Sequence, residues 1–586
     1  MKRTFGFFIF CILIIASLAV TASAALTGDV DGNGKIDFED YVTLRLWTDT
    51  GASLTPEQAD AADVYPDGVV DEKDVNTLYS LILGSGYTES EGLAYDLHYP
   101  EHDSYDIIGI GNCTDKVIVI PKEIDGLPVS SIVADSFRDN TDILGVVFTE
   151  NVKEIGWNAF DNCVNLKKII LPSTVTDIYN YAFQNCTSLC SVSFSEGLKH
   201  IDHYAFYGCT SLESVELPDT LDFIGDYIFM NSGLKNIKFG SSMDIGYMMF
   251  AGTPIESITI PGTVRDVGGY SFENCTELTE INLCEGIETV SSGAFSGCAK
   301  LKSITFPASV YAVGANMLGC CTSLEEIKVA DGNENVSAVG NCLLTGDGYY
   351  LMAGCKNSVI PDTVGVIQDS AFYGCTGLTS LTVPYGVSQI YPYAFAGCTG
   401  LTELKLADSL TRIRGCAFID CSSLKEITLP ESLEQIDDDI LSGCTSLESI
   451  TMPFFGQTAY ATSNVFLNRV FDGTVPESLK NVCVTRSDTI MYNALRFCSD
   501  IETVTLCEPT SGIEETGMAY MSNLTTVTIP ITVKKIGERA FAYDSSLQKI
   551  LYMGNISDWN AIEKGENWNM ATGSYEIFCF DGKISK

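Results

Sequence analysis

A strict spacing of phenylalanines restricts the folds open to this chain more than any other feature. Phe137, Phe160, Phe183, Phe206 and Phe229 follow one another every 23 residues, and Phe250, Phe272, Phe295, Phe372, Phe395, Phe418 and Phe541 continue the series with small slips. Leu318, Leu441, Leu495 and Met518 stand in at further positions. A unit this short cannot bury its own apolar side, so copies must stack, and the period predicts a solenoid. With Phe206 as anchor, Cys209, Leu212, Val215, Leu217 and Pro218 follow, and Ile224 closes the coil. The run from Leu166 to Leu171 holds a strand, and Pro172 ends it because it has no N–H to give the next coil. Stacked coils therefore predict a parallel β-sheet on one face, with the A-F-x-x-C segments as short turns or helical segments on the other.

The same period explains the cysteines. Cys163, Cys186, Cys209, Cys275, Cys298, Cys321, Cys375, Cys398, Cys421, Cys444 and Cys498 each fall three residues after an anchor, and Ser232, Thr253 and Asp544 take that place elsewhere. Such a column reads as a ladder of small, buried free thiols and not as a disulfide framework. No CxxC or Cys/His pair suggests a metal array. Outward strand positions are polar, among them Ser191, Ser193, Glu216, Thr259, Glu280, Thr305, Glu326, Lys328 and Thr428. Tyr181, Tyr204, Tyr227, Tyr270 and Tyr393 lie two residues before their anchors and read as corner packing.

Two anchor spacings stretch to 54 residues. One holds the Gly-Asp-Gly turn of residues 341–355, flanked by apolar runs as in a hairpin. The other, 453–473, carries Phe454, Phe455, Tyr460, Phe466 and Phe471, which could contact a ligand or cover the sheet edge.

Residues 1–24 read as an export signal, with Lys2 and Arg3, an apolar run from Phe5 to Val20 and the small-residue site Ala22-Ser23-Ala24. That run is short of the roughly 20 residues a membrane span needs. No membrane span is expected once the signal is cleaved. A net charge of −42 opposes nucleic acid and anionic lipid as partners.

Behind the signal lie two acidic loops. In DVDGNGKIDFED, residues 29–40, Asp29, Asp31, Asn33, Asp37 and Asp40 occupy positions 1, 3, 5, 9 and 12 of a calcium loop. Gly34 sits at the sharp turn, and Lys35 offers its carbonyl. The second loop, residues 63–74, places Asp63, Asp67, Asp71 and Asp74 at positions 1, 5, 9 and 12, with the Val69 carbonyl at 7. Tyr65 at position 3 lacks a carboxylate, so the second of these two Ca2+ sites should be weaker. Leu44, and then Leu78 and Ile82, mark one short amphipathic helix after each loop.

Two such loop–helix units resemble a type I-like dockerin, here residues 26–86. The resemblance implies a small α-helical module with two calcium loops that binds a cohesin domain of a scaffolding protein. The family's contact positions fall on Phe38 and Glu39 in the first copy and on Glu72 and Lys73 in the second. The 23-residue coils resemble the BspA-like leucine-rich repeats of bacterial surface proteins. On that likeness, residues 87–104 are a linker, 105–136 an opening cap, and 137–550 the repeats, with insertions near 330–360 and 453–486. Residues 551–586 form a closing cap.

These resemblances imply a secreted, non-catalytic binding or adhesion protein, docked on a cellulosome-like scaffold or cell surface, whose repeats take an extracellular protein or polysaccharide. A structural spacer or protease-inhibiting repeat protein is the alternative. An enzyme degrading polysaccharide is disfavoured. The only histidines are His98, His102, His200 and His203, and no GxSxG, HExxH or phosphate loop is present.

Overall fold

The computed structural model describes residues 89–241, 243–458, 461 and 466–585, together with Val30 and Ala62. Two compact units separate, and both are built of stacked parallel strands with almost no helix among the described residues. The first is described from residue 89 to Ser130, with Ile143–Asn151 and Lys168–Ile170. In it the strands Val117–Val119, Gly145–Val147 and Lys168–Ile170 pair in parallel. Here the linker expected over 87–104 is corrected. Ala94–Leu97 is a strand, antiparallel to Tyr105–Gly109, with Tyr95 meeting Tyr105 edge-on at 5.3 Å. Its pleat gives this polar-looking stretch a partner that composition does not reveal.

The second unit holds the rest of the repeats. Its strands pair in parallel with each residue opposite its counterpart one period later, as in Ser257↔Glu280, Ile258↔Ile281, Thr259↔Asn282 and Ile260↔Leu283. Along Ser303–Phe306 the side chains alternate, Ile304 and Phe306 buried and Ser303 and Thr305 exposed, as the two-residue period of a strand requires. Beyond the expected sheet there is a second parallel ladder of two-residue strands. Asp177–Ile178, His200–Ile201 and Phe223–Ile224 belong to it, which is where the coil-closing isoleucines go.

The anchors form a buried spine. Successive rings of Phe137, Phe160, Phe183 and Phe206 stack nearly parallel, 5.0, 5.2 and 5.3 Å apart, and all are buried. The cysteines lie inside as expected. Most of these thiols donate to the carbonyl of the phenylalanine 26 residues earlier: Cys163 to Phe137 (3.1 Å), Cys186 to Phe160 (3.2 Å), Cys209 to Phe183 (3.2 Å), Cys421 to Phe395 (3.3 Å). Burial pushes the Cys163 and Cys321 thiols up to about 12, so they remain protonated and unreactive. Cys209→Ala removes this donor and leaves a small void. We expect urea unfolding followed by circular dichroism to register a loss of about 1–2 kcal/mol.

The turns rest on backbone that few residues adopt. Two residues after the anchors, Asn162 (φ 61°), Asn185 (φ 55°) and Asn274 (φ 58°) alternate with Gly208 (φ 71°) and Gly297 (φ 78°) in the left-handed region. Asparagine and glycine tolerate that region best, which accounts for the N/G-C pair preceding so many coils' next strand.

The closing segment carries the helix Ile556–Ala561 and the strands Glu563–Lys564, Glu576–Cys579 and Gly582–Ser585. The last of these runs antiparallel to its neighbour and so ends the parallel stacking.

Candidate functional site

On the strand face, the outward charges are mostly satisfied by one another. Glu213 and Lys235 pair at 2.6 Å, Glu277 and Lys300 at 2.5 Å, and Glu403 and Lys405 at 2.8 Å, while Glu216 meets Lys238 on the neighbouring strand. Thr259, Glu280, Thr305, Lys328 and Thr428 are exposed, and Ser191, Ser193 and Glu326 half-buried. Exposed pairs of this kind add little to stability, so the side chains of this face are free to vary without cost to the fold.

The corner histidines are tied to neighbouring coils. His200 Nδ1 lies 2.5 Å from Asp177 Oδ1, and His203 Nδ1 accepts the Asp226 N–H at 2.8 Å. Beside them Tyr181, Tyr204 and Tyr227 stack at 5.0 and 4.3 Å, each with φ near 60°. Their faces are covered by one another, which matches the corner-packing expectation.

The first insertion is the expected hairpin, with Cys342–Thr345 antiparallel to Tyr350–Ala353. Tyr349 and Tyr350 are exposed beside its turn, their rings edge-on at 5.0 Å.

In the second insertion, read as either contacting a ligand or covering the sheet edge, three of the described aromatics are buried. Phe454, Phe455 and Phe471 are only 2, 3 and 4% exposed and join the core, leaving Phe466 at the surface. The cause is a concealed coil. A one-turn helix, Leu467–Phe471, buries Leu467, Val470 and Phe471. Leu441 N–H donates to Val470 O at 2.8 Å, and Leu467 N–H to Ala494 O at 3.0 Å, so this helix stands where a turn would. Arg469 locks the segment, donating to the carbonyls of Ile436 (3.0 Å), Phe455 (3.3 Å) and Gly456 (2.8 Å) and pairing with Asp438 at 2.5 Å. Arg486 lies 5.6 Å over the Phe454 ring.

Sequence reasoning missed another aromatic column. Phe497, Tyr520 and Tyr543 occupy the left-handed place after their anchors, with φ of 66°, 62° and 67°, where most coils use asparagine or glycine. Phe497 and Tyr520 lie tilted by 35° at 4.9 Å, Tyr520 and Tyr543 stack at 4.7 Å, and Arg496 caps Phe497 and Tyr520 at 4.6 and 5.2 Å. Phe497 is 62% exposed. Bulky residues in this region cost of order 1–3 kcal/mol each, which contact among the three rings helps to offset; Phe497 and Tyr543 are exposed and Tyr520 is half-buried. The signal was legible as three aromatics in a column otherwise filled by Asn, Gly, Asp and one Cys.

The calcium-loop residues Asp29, Asp31, Asn33, Lys35, Asp37, Asp40, Asp63, Asp67, Val69, Asp71 and Asp74 lie outside the described residues. So do the docking positions Phe38, Glu39, Glu72 and Lys73, the export signal, and Tyr460. Val30 and Ala62, beside the two loops in sequence, are buried. Among the described residues no helix is long and apolar enough to cross a membrane, and no group of three or more His, Cys, Asp and Glu could hold a metal.

Comparison with known families matches a BspA type leucine rich repeat region at residues 130–252, 243–346, 345–470 and 468–562, and a dockerin type I domain at 27–83. Among solved structures, the chain is similar to a leucine rich cell surface protein from Faecalibacterium prausnitzii, 23% identical, covering 81% of this chain and 97% of that one, with a TM-score of 0.35. A leucine-rich repeat protein from Bacteroides ovatus is 24% identical, covering 80% and 100%, with a TM-score of 0.41. The pneumococcal vaccine antigen PcpA is 17% identical, covering 84% and 98%, with a TM-score of 0.39. No curated protein matches the chain by sequence.

Proposed function

Because the chain belongs to the BspA-type leucine-rich repeat family and carries a type I dockerin ahead of its repeats, we propose that it is a secreted, non-catalytic recognition protein held on a scaffold by its front module. The oxygen donors of residues 29–40, at loop positions 1, 3, 5, 7, 9 and 12, and of 63–74, at 1, 5, 7, 9 and 12, are the hard ligands calcium prefers, and their folding and their docking would draw on the same two ions. Phe38, Glu39, Glu72 and Lys73 would then face a cohesin domain. The repeats would contact an extracellular protein or polysaccharide through surface side chains that the spine leaves free. Phe466 and the Arg496–Phe497–Tyr520–Tyr543 column are among the described surface side chains placed to take part. The observation that carries this reading is the order of parts, a docking module followed by repeats that devote their buried side chains to stacking.

The test is a cohesin-panel binding assay on the full chain. Asp29→Ala combined with Asp63→Ala, or chelation of calcium, should lower cohesin affinity at least 100-fold while the β-sheet circular dichroism signal is retained. Binding that persists without calcium would remove the docking role.

A further inference from the structure

One pair of thiols departs from the buried ladder. Cys483 lies on the strand Asn481–Val484, between the buried Val482 and Val484, and so points to the outer face of the sheet. Its registered partner on the next strand is Thr505, two residues before Cys507. Cys507 N–H donates to Val484 O at 2.9 Å, which fixes the backbones of the two strands together at this point. Both cysteines are half-buried, and their sulfurs stand 3.9 Å apart. The ladder thiols differ in that all are buried in the core, and most, like Cys209, are engaged by a backbone carbonyl.

We propose that Cys483 and Cys507 form a redox-active pair that closes to a disulfide between adjacent coils. A disulfide needs sulfurs about 2 Å apart, so each Sγ must move by about 1 Å, and because the two positions are diagonal in the register, closure also draws in the backbone at Cys507, just past the end of its strand. The reaction requires an oxidant, and a small-molecule disulfide supplies it. One cysteine thiolate attacks that disulfide, forming a mixed disulfide and releasing one thiol; the second cysteine thiolate attacks the mixed disulfide at the protein sulfur and releases the other. The small disulfide is reduced to two thiols, which carry away the two cysteine protons, and the protein pair is oxidised. Cys483 follows the second insertion, so the bond would staple the strand that resumes after residues 453–473 to the coil behind it.

The experiment exposes the full chain to glutathione disulfide, quenches with acid, alkylates the remaining thiols and maps the digest by mass spectrometry. The expected product is a Cys483–Cys507 peptide pair lighter by two hydrogens, released by dithiothreitol and absent from the Cys483→Ser and Cys507→Ser variants. Each variant should instead carry a single glutathione adduct on the surviving cysteine. In the wild-type chain, separate glutathione adducts on both cysteines, or alkylation of both while an added dithiol peptide is fully oxidised, would overturn the proposal.

Discussion

Phe206→Ala is expected to cost the array about 3–5 kcal/mol, whereas Phe206→Leu should cost less than about 2 kcal/mol. The ring is fully buried between Phe183 at 5.3 Å and Phe229 at 5.8 Å, and Phe194 meets it edge-on at 5.5 Å. Truncation therefore opens a void in the middle of the spine and breaks three ring contacts at once. Leucine already fills the same place at Leu318, Leu441 and Leu495, all buried, so the coil accepts it. Because stability in stacked repeats is carried by nearest neighbours, the loss should appear as local opening around this coil. Urea unfolding with native-state hydrogen exchange measures both effects. Equal losses for alanine and leucine would show that the stacked rings do not carry the coil.

Acidification should stabilise the closing end of the repeats, because Asp544 occupies a place that other coils give to cysteine. The side chain is fully buried, its Oδ1 accepts the Met521 N–H at 2.9 Å, and its Oδ2 has no partner. Burial pushes its carboxyl up to about 9, far above the roughly 3.9 of an unfolded chain. Between these values the folded state holds a proton that the unfolded state has lost. Stability therefore falls as pH rises through this window and levels off below about 4 and above about 9. At pH 7 the cost is on the order of 4 kcal/mol. Asp544→Cys, which restores the ladder residue, should remove most of that cost and flatten the pH profile between 5 and 8. Asp544→Asn should flatten it as well, since the uncharged amide does not titrate. Denaturation midpoints at several pH values decide the matter; a wild-type profile unchanged by either substitution would mean the carboxyl is solvated.

The spine was legible because apolar anchors recur at a fixed interval, and burial at that interval has one solution. The thiol ladder followed for the same reason, and Ser232, Thr253 and Asp544 indeed lie buried in its gaps. What escaped notice depends on backbone geometry or on distant partners. The left-handed column holding Asn162, Gly208 and Tyr520 is a constraint on φ, which hydropathy does not express. The strand at Ala94–Leu97 takes its stability from Tyr105–Gly109 and carries little pattern of its own. Phe471 looked like a loop aromatic because the inserted residues broke the count that would have marked it as core.

The one-period offset between paired residues has a genetic consequence. Since His200↔Phe223 and Asp177↔His200 are equivalent pairings, excising or duplicating one whole interval rejoins compatible edges without new contacts. Copy number can therefore drift by recombination between neighbouring units while each unit's exterior diverges, so lineages can adjust reach and specificity by separate mutations.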